Sequence, residues 1–305
     1  MNENSLRLFQ LQITTVAELI DMGCEYLTAS ELVYGHGTDN ALDESAWLAL
    51  EACDISPAEP LDDYNIPVTS EQLQRAREWF RARAERHVPV AYLTGRSWFA
   101  GLEFITDSRA LIPRSPIAEL IAARFAPWLA APPAAALDLC CGGGCIAIAM
   151  ATVFPDSVVH ASDLSEDALQ LAALNRQKYA LQGRLQLFHG DLFAPLPEGQ
   201  CYDLIVSNPP YVDEQDMRSL ADEFHHEPAM GLAAGYDGLD IVARMLWTAR
   251  QYLSPDGIMV VEVGNSQQAV EQRFAGLDLL WLDFEFGGAG VFLVSAQALH
   301  DLKPD

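Results

Sequence analysis

Residues 135–145 read Ala135-Ala136-Leu137-Asp138-Leu139-Cys140-Cys141-Gly142-Gly143-Gly144-Cys145, so that a short apolar run passes directly into three consecutive glycines. The run is predicted to be a buried strand, and the residues from Cys145 to Val153 are predicted to be the helix that follows it. Consecutive glycines let the backbone turn tightly and let a ligand approach without meeting a Cβ atom. The loop alone is a weak indication of function, because other Rossmann-like nucleotide sites and ordinary tight turns also use glycine.

Strands and helices alternate through the rest of the chain. Further strands are predicted at Val158–Ala161, Leu185–Phe188, Leu204–Val206 and Ile258–Val263, with a closing antiparallel pair at Leu279–Phe286 and Val291–Val294. Further helices are predicted at Ile117–Phe125, Glu166–Tyr179 and Leu239–Leu253. This alternation predicts an α/β fold with a mostly parallel sheet that is covered by helices on both faces.

The N-terminal part of the chain has a different pattern. Amphipathic helices are predicted from about residue 13 to residue 86, around a loop at Tyr34–Asn40. Within that loop, His36 is expected to be a surface or capping residue. We therefore expect a helical N-terminal domain at residues 1–88, which we assign to substrate binding.

A β-hairpin is predicted between the two parts. Its strands are expected at Ala91–Thr94 and Leu102–Thr106, on either side of Trp98–Gly101. The hairpin is expected to form a linker at residues 89–115, and the α/β domain is expected to occupy residues 116–305.

The chain is strongly acidic, with 18 basic against 43 acidic residues and a formal net charge of −25. Such a charge repels polyphosphates and attracts basic partners, which disfavours a nucleic-acid substrate, because affinity for nucleic acids comes largely from Lys and Arg on phosphates. A cluster of arginines lies on a predicted helix among glutamates: Arg75, Arg77, Arg81, Arg83 and Arg86. We interpret this cluster as a solvated helix face rather than as a basic patch.

The cysteines and the N-terminus indicate a protein of a reducing compartment. Six cysteines occur without paired CxxC spacing, so no zinc site and no other metal site is predicted. The three around the glycine loop are interpreted as small packing residues. The N-terminus has no secretory pattern and no apolar run reaches the length of a membrane span, so we expect a cytoplasmic protein.

Two acidic residues follow the second and third strands of the predicted sheet. Asp163 comes 21 positions after Gly142, where a carboxylate can accept both hydroxyls of a ribose, although this spacing does not separate NAD from S-adenosylmethionine. The alternative role, a helix cap, suits Ser165 better. Asp191 is placed to accept an adenine amino group, with Leu192 or Phe193 against the ring, and its alternative role is that of a turn residue.

Asn208-Pro209-Pro210-Tyr211 follows a further apolar run, at the strand end where open α/β sheets bind their ligands. The Asn208 side-chain oxygen and the Pro209 carbonyl can both accept hydrogen bonds from a single –NH₂ group. Proline fixes the backbone that carries that carbonyl, and the Tyr211 ring offers a flat face for an amide or a base. After a nucleotide-binding loop, this tetrapeptide indicates a methyltransferase that acts on nitrogen.

The order of these motifs resembles that of class I S-adenosylmethionine-dependent methyltransferases, and within them the protein-glutamine N5-methyltransferases. The matching segments are Tyr92-Leu93-Thr94-Gly95, Phe104, Leu111-Ile112-Pro113-Arg114, Asp138-Leu139, Gly142, Gly144–Ala149, Ser207–Tyr211 and His226-Glu227-Pro228. Three further segments resemble the branch that modifies large-subunit ribosomal protein three (uL3): Tyr34–Asn40, Trp98–Gly101 and Arg114–Leu120.

The resemblance implies a Rossmann-like domain with a seven-stranded sheet, and it implies a set of site residues. S-adenosylmethionine is expected to contact Asp138, Cys140, Cys141, Gly142, Gly143, Gly144, Asp163, Asp191, Leu192 and Asn208. The glutamine amide is expected to bind Asn208, Pro209, Pro210 and Tyr211, of which the first two and the tyrosine are assigned to catalysis. Cys141 and Gly143 replace the usual Thr and Ser, which removes a hydroxyl from the loop.

Three other functions compete with methylation of ribosomal protein three. The first is the same chemistry on the Gly-Gly-Gln loop of release factors, a branch that usually carries a Pro-Glu/Asp-Thr run after the arginine, which is absent here. The second is adenine-N6 methylation of nucleic acid, which the acidic charge disfavours. The third is a non-enzymatic cofactor-binding or ribosome-assembly protein, which would have no use for two positioned amide acceptors.

Overall fold

The computed structural model describes residues 13–58, 62–235 and 239–301, with the exception of the Gln215 side chain. The chain forms two compact units. The first comprises the residues up to Ser97 together with Ala221–His226, and the second comprises Trp98–Leu220 and the residues from Glu227 onward. The return of a short later segment to the first unit is a feature that no pattern in the sequence indicates.

The first unit is helical, as predicted. Its helices are α1 (Val16–Thr28), α2 (Ala41–Ala52), α3 (Ser70–Arg86) and α4 (Val90–Thr94). Capping boxes begin α1 and α3, where Thr15 pairs with Glu18 and Thr69 pairs with Gln72. The predicted loop at residues 34–40 is confirmed as non-helical, and Asn40 at its end caps α2 by accepting from the Asp43 N–H.

Two expectations for the first unit are wrong. His36 is not a surface residue, because it is 3% exposed and its ring lies 4.6 Å from that of Phe224. Arg83 does not belong to a solvated face: its guanidinium is buried and donates to Glu44, Glu223 and the Val33 carbonyl. A buried guanidinium is tolerated only when such acceptors take its N–H groups, and one of these carboxylates lies 140 positions away in the sequence.

The hairpin differs from its prediction in its first strand. Residues 91–94 belong to helix α4, which ends at Gly95 in the left-handed region (φ 72°). The strands are β1 (Arg96–Phe99) and β2 (Leu102–Ile105). The turn between them is Ala100-Gly101, with φ values of 49° and 76°, as tight two-residue hairpin loops require. The aromatic residues that we assigned to the turn therefore lie in the strand.

Seven strands form one sheet within the described part of the second unit. They are β3 (Ala135–Leu139), β4 (Val158–Asp163), β5 (Leu185–His189), β6 (Tyr202–Ser207), β7 (Leu253–Glu262), β8 (Leu280–Leu282) and β9 (Val291–Ser295). Their order is β5-β4-β3-β6-β7-β9-β8, in which β3 to β7 are parallel and β9 runs antiparallel to both β7 and β8. The predicted mostly parallel sheet with a closing antiparallel pair is confirmed.

Helices cover both faces of this sheet. They are α5 (Ile117–Ala122), α6 (Cys145–Val153), α7 (Glu166–Lys178), α8 (Glu214–Met217), α9 (Asp240–Ala249), α10 (Gln267–Arg273) and α11 (Ala296–His300). Alternate strand residues point to two separate cores: Leu204 and Val206 pack in one, and Ile205 packs in the other. The predicted helix at 239–253 was too long, because β7 already begins at Leu253. The helices of the described ranges include none that is both long and apolar enough to cross a bilayer.

The strand order reverses between β3 and β6, which are neighbours in the middle of the sheet. Leu139, the last residue of β3, pairs with Ser207, the last residue of β6. The glycine loop and the Asn-Pro-Pro-Tyr segment therefore leave the sheet side by side, at the kind of position where open α/β sheets bind ligands.

Candidate active site

A cavity of ≈ 400 Å³ lies at the carboxyl ends of the central strands, a size within the range of about 300–1,000 Å³ that is typical of ligand pockets. Most of the predicted site residues line it: Cys140, Cys141, Gly142, Gly143, Asp163, Asp191, Leu192, Asn208, Pro209, Pro210 and Tyr211. Asp138 and Gly144 do not. Gly144 instead begins helix α6 with φ 79°, where an added Cβ would lie 3.1 Å from the Ala172 side chain.

Asp138 lies beneath the glycine loop and is fully buried. Its Oδ2 accepts from the Ala147 N–H at 2.9 Å, which fixes the first turn of α6, while its buried Oδ1 has no hydrogen-bond partner among the described residues. Burial raises the pKa of Asp138 well above its usual range, and the nearby Asp163 carboxylate adds to this effect. The geometry thus gives Asp138 a role in shaping the loop, and its predicted contact with the cofactor stays a prediction.

Asp163 ends β4 and faces the cavity. Ser165 caps helix α7 through the Ala168 N–H, as predicted. The Asp163 carboxylate is nevertheless already engaged, since Oδ2 accepts from the Gly142 N–H and Oδ1 from the Ser165 N–H, both at 2.8 Å. Each oxygen keeps a further lone pair, so the carboxylate can still accept from a ligand hydroxyl.

Asp191 reaches the cavity from the loop after β5. Its carboxylate forms an ion pair with Arg244 of helix α9, and Arg244 and Ile241 also line the cavity. Sequence reasoning missed both α9 residues, because they lie 50 and 53 positions from Asp191 in an ordinary amphipathic helix.

Asn208 and Pro209 both line the cavity, and each carries an acceptor, the Asn208 side-chain oxygen and the Pro209 carbonyl oxygen. Within the described ranges, no protein group donates a hydrogen bond to either oxygen. Asn208 is half-buried and Pro209 is buried, so neither oxygen is simply a surface group. Among the described residues, no protein donor competes with a ligand for these two acceptors.

Tyr211 is held in place by residues 262–266, and Ser115 in turn binds Glu262. The Tyr211 hydroxyl donates to Glu262 Oε1 at 3.2 Å, and Glu262 Oε2 accepts from the Ser115 hydroxyl. The Tyr211 carbonyl accepts from Ser266 Oγ at 3.0 Å, and a Cβ on Gly264 would lie 2.6 Å from the Tyr211 ring. Burial raises the pKa of both Tyr211 and Glu262.

Ser115 and Glu262 are site residues that sequence reasoning missed. Glu262 could have been found from the sequence, because it is an acidic residue at the end of an apolar strand, as is Asp163. Both residues line the cavity and both are nearly inaccessible to water.

An ion pair joins two of the motifs that carried the resemblance. Arg114 binds Glu227 through two parallel hydrogen bonds of 2.6 and 2.7 Å, and the Ile112 N–H donates to the same carboxylate at 2.9 Å. Bidentate pairs of this kind fix direction as well as distance. They hold the start of the Pro228–Ala233 segment, several residues of which line the cavity.

The side chains around the cavity fit S-adenosylmethionine. The carboxylates of Asp163 and Asp191 are acceptors suited to hydroxyl and amino groups, and the apolar Leu192 and Ile241 flank a space suited to a flat ring. The lining also contains two glycines of the loop, which leave room for a close approach of the ligand to the backbone.

Most of the chain is similar to known protein families. The family model of the methyltransferase small domain matches residues 124–235, and that of the PrmC N-terminal domain matches residues 26–95. Among solved structures, the hMettl16 catalytic domain in complex with MAT2A 3′UTR hairpin 6 superposes with a TM-score of 0.50 at 14% identity, over 74% of this chain and 81% of that one. That likeness shows a shared methyltransferase fold.

Curated relatives match at much higher identity. The ribosomal protein uL3 glutamine methyltransferase of Burkholderia pseudomallei is 41% identical over 294 residues, which cover 93% of this chain and 95% of the relative. The protein of the same name from Xylella fastidiosa is 44% identical over 299 residues, which cover 95% of this chain and 94% of the relative.

Proposed function

Because the chain belongs to the family of ribosomal protein uL3 glutamine methyltransferases, we propose that it transfers a methyl group from S-adenosylmethionine to the side-chain amide nitrogen of a glutamine in uL3. The observation that carries the proposal is the pair of unused acceptors on Asn208 and Pro209, beside a cavity that fits a nucleoside. Two such oxygens match the two N–H bonds of a primary carboxamide.

The amide nitrogen is a weak nucleophile, because its lone pair is delocalised into the carbonyl. The Asn208 oxygen and the Pro209 carbonyl accept its two N–H bonds, which turns the nitrogen lone pair toward the cavity. The same two acceptors offset the positive charge that develops on nitrogen. Holding the amide nitrogen within about 3–3.5 Å of the methyl carbon and in line with the bond that breaks raises the rate of transfer, because the entropy of orienting the two reactants has already been lost on binding.

Tyr211 packs against the plane of the bound amide in this proposal, and Glu262 and Ser115 hold the tyrosine. The proposal needs no strong base for the amide proton. An amide protonated on nitrogen is very acidic, so the proton passes to water after methylation.

S-adenosylmethionine supplies a methyl group on a positively charged sulfur when it is bound. Asp163 would hold its ribose hydroxyls, and Asp191 with Leu192 would hold its adenine. The loop from Cys140 to Gly143 would lie against the rest of the molecule through its backbone. Asp138 and Gly144 would shape that loop from behind, in place of the direct contacts expected from the sequence.

The charge of the chain suits the proposed substrate. A net charge of −25 attracts a basic ribosomal protein over long distances and disfavours direct binding of nucleic acid. We assign substrate binding to the helical residues 1–88 and to the linker at 89–115, and we place the enzyme in the cytoplasm, where ribosomal proteins are made.

Methyl transfer to purified proteins tests this function. The chain is incubated with labelled S-adenosylmethionine and with either uL3 or a peptide-chain release factor, and the products are digested for mass spectrometry. We expect one added methyl group, about +14 Da, on a glutamine of uL3. Labelling of the release factor in preference to uL3 would move the enzyme to the other branch, and labelling of neither would contradict the proposal.

A further inference from the structure

The motif Arg114–Leu120 contacts the loop at residues 283–290, which has no role in the proposed mechanism. Glu119 of helix α5 accepts hydrogen bonds from two consecutive backbone N–H groups, those of Glu285 and Phe286, at 2.9 and 3.1 Å. An added Cβ on Gly288 would lie 2.8 Å from the Pro116 ring, so the loop also packs closely against this motif. The loop at residues 283–290 is thus fixed in position by its neighbours.

Strand pairing places this loop on the same side of the sheet as the cavity. Val291, the first residue of β9, pairs with Glu262, the last residue of β7, and with Leu282, the last residue of β8. Since β7 ends at the cavity, the connection between β8 and β9 emerges at the cavity edge. The Gly290 carbonyl also accepts from the Val263 N–H at 2.6 Å, next to the glycine that packs on Tyr211.

Phe286 is the most exposed large apolar side chain among the described residues, at 85%. The next two in the second unit are Met230 at 59% and Leu164 at 56%, and both of these line the cavity. Single exposed apolar residues are common on protein surfaces. A phenylalanine whose own N–H is held by a carboxylate, on a loop beside the active site, is a different case, because its backbone is held in position before any partner arrives.

We propose that Phe286 is a docking side chain for the polypeptide that flanks the acceptor glutamine, and that Glu119 is the residue that positions it. The inference rests on the proposed function, since it requires a protein substrate. Asp283 and Glu285 beside Phe286 are exposed. The partner that fits this surface is therefore a basic segment that carries an apolar side chain, which is buried against the Phe286 ring on binding.

Binding of uL3 to the full chain, measured separately from methyl transfer, tests the inference. Fixed aromatic residues near a binding centre are common hot spots, so Phe286→Ala is expected to weaken the Kd for uL3 about tenfold. The Kd for S-adenosylmethionine should not change. Val158→Ala is the matched control: it truncates an apolar side chain that is 43% exposed at the start of β4, at the end of the parallel strands opposite to the cavity, and should leave uL3 binding unchanged.

Glu119 provides the second measurement. Glu119→Ala should also weaken uL3 binding, because it frees the loop, but the double variant Glu119→Ala/Phe286→Ala should bind no more weakly than Phe286→Ala alone. Unchanged uL3 binding by Phe286→Ala, or fully additive effects in the double variant, would overturn the inference while methyl transfer by the wild type leaves the proposed function intact. A wild type that neither binds nor methylates uL3 would overturn both.

Discussion

Asp163 ends β4 and Asn208 directly follows β6, the two strands on either side of β3, and both residues line the same cavity, yet their side chains differ in their hydrogen bonding. Both Asp163 oxygens already accept backbone N–H groups, whereas the Asn208 amide has no protein partner among the described residues. On the side that we propose for the nucleoside, the protein itself thus arranges the side chain. The side that we propose for the acceptor amide keeps unused hydrogen-bonding capacity, which suits a transient substrate.

The largest effect should come from Asn208→Ala. If its oxygen acts in the transition state, its loss should lower kcat about 10²- to 10³-fold, as observed when one preorganised hydrogen-bonding group is removed. The Kd for S-adenosylmethionine, measured by calorimetry, should change by less than about threefold. If Asn208→Ala keeps near-normal turnover, Asn208 does not have the catalytic role that distinguishes it from Asp163.

Asp163→Asn should give the opposite result. The substitution keeps the shape but removes the charge, and it places an N–H₂ group against one of the two backbone donors. Since a hydrogen bond to a charged group contributes about 1.5–3 kcal/mol, the Kd for S-adenosylmethionine should rise about 10- to 100-fold. The kcat at saturating cofactor should stay close to that of the wild type, and a fall in kcat with an unchanged Kd would contradict the assignment.

Tyr211→Phe and Glu262→Gln sharpen the description of the acceptor side. Tyr211→Phe removes the hydrogen bond between these residues, and Glu262→Gln weakens it by replacing a charged acceptor with a neutral one, so each should lower kcat about tenfold by loosening the ring. Because both act through one contact, the double variant should be hardly slower than either single variant. Independent, additive losses would show that Glu262 does not act through Tyr211, and an unchanged Kd for S-adenosylmethionine serves as the control for folding.

Asp138→Asn should have the smallest effect, on stability and not on turnover. The raised pKa of Asp138 in the folded state means that the native protein keeps this proton where the unfolded chain has lost it. Stability contributed by this group is therefore present below the ordinary Asp pKa and falls as the pH rises, by up to about 1.4 kcal/mol per pH unit. Urea unfolding between pH 5 and pH 8 should show a shallower decline for the Asn variant. A decline equal to that of the wild type would contradict a neutral Asp138.

The sequence predicted best those features that depend on neighbouring residues. Helix α6 begins and ends at the predicted residues, because a glycine in the left-handed region starts it and an apolar run continues it. The Asn208 segment and the glycine loop were found because each carries its chemistry in consecutive residues. Even the failure at residues 91–94 was local, since a short apolar run fits a strand as well as a helix that ends at Gly95.

The contacts that escaped prediction join residues far apart in the chain. Glu262 meets Ser115 across 147 positions, and Arg244 meets Asp191 across 53. Periodicity describes which face of an element is buried, but it does not say which polar residue of another element will lie opposite. Arg83 was misassigned for the same reason, because nothing within its own helix identifies Glu223 as its partner.

The ion pair between Arg83 and Glu223 affects when the helical unit can fold during synthesis. Arg83 leaves the ribosome long before Glu223, so the helical unit cannot complete its buried ion pairs until about three quarters of the chain has been synthesised. A fragment that stops at residue 97 would lack one of the two carboxylates around a desolvated guanidinium, and proteolysis of nascent chains of increasing length would show protection arriving only once residue 226 has emerged.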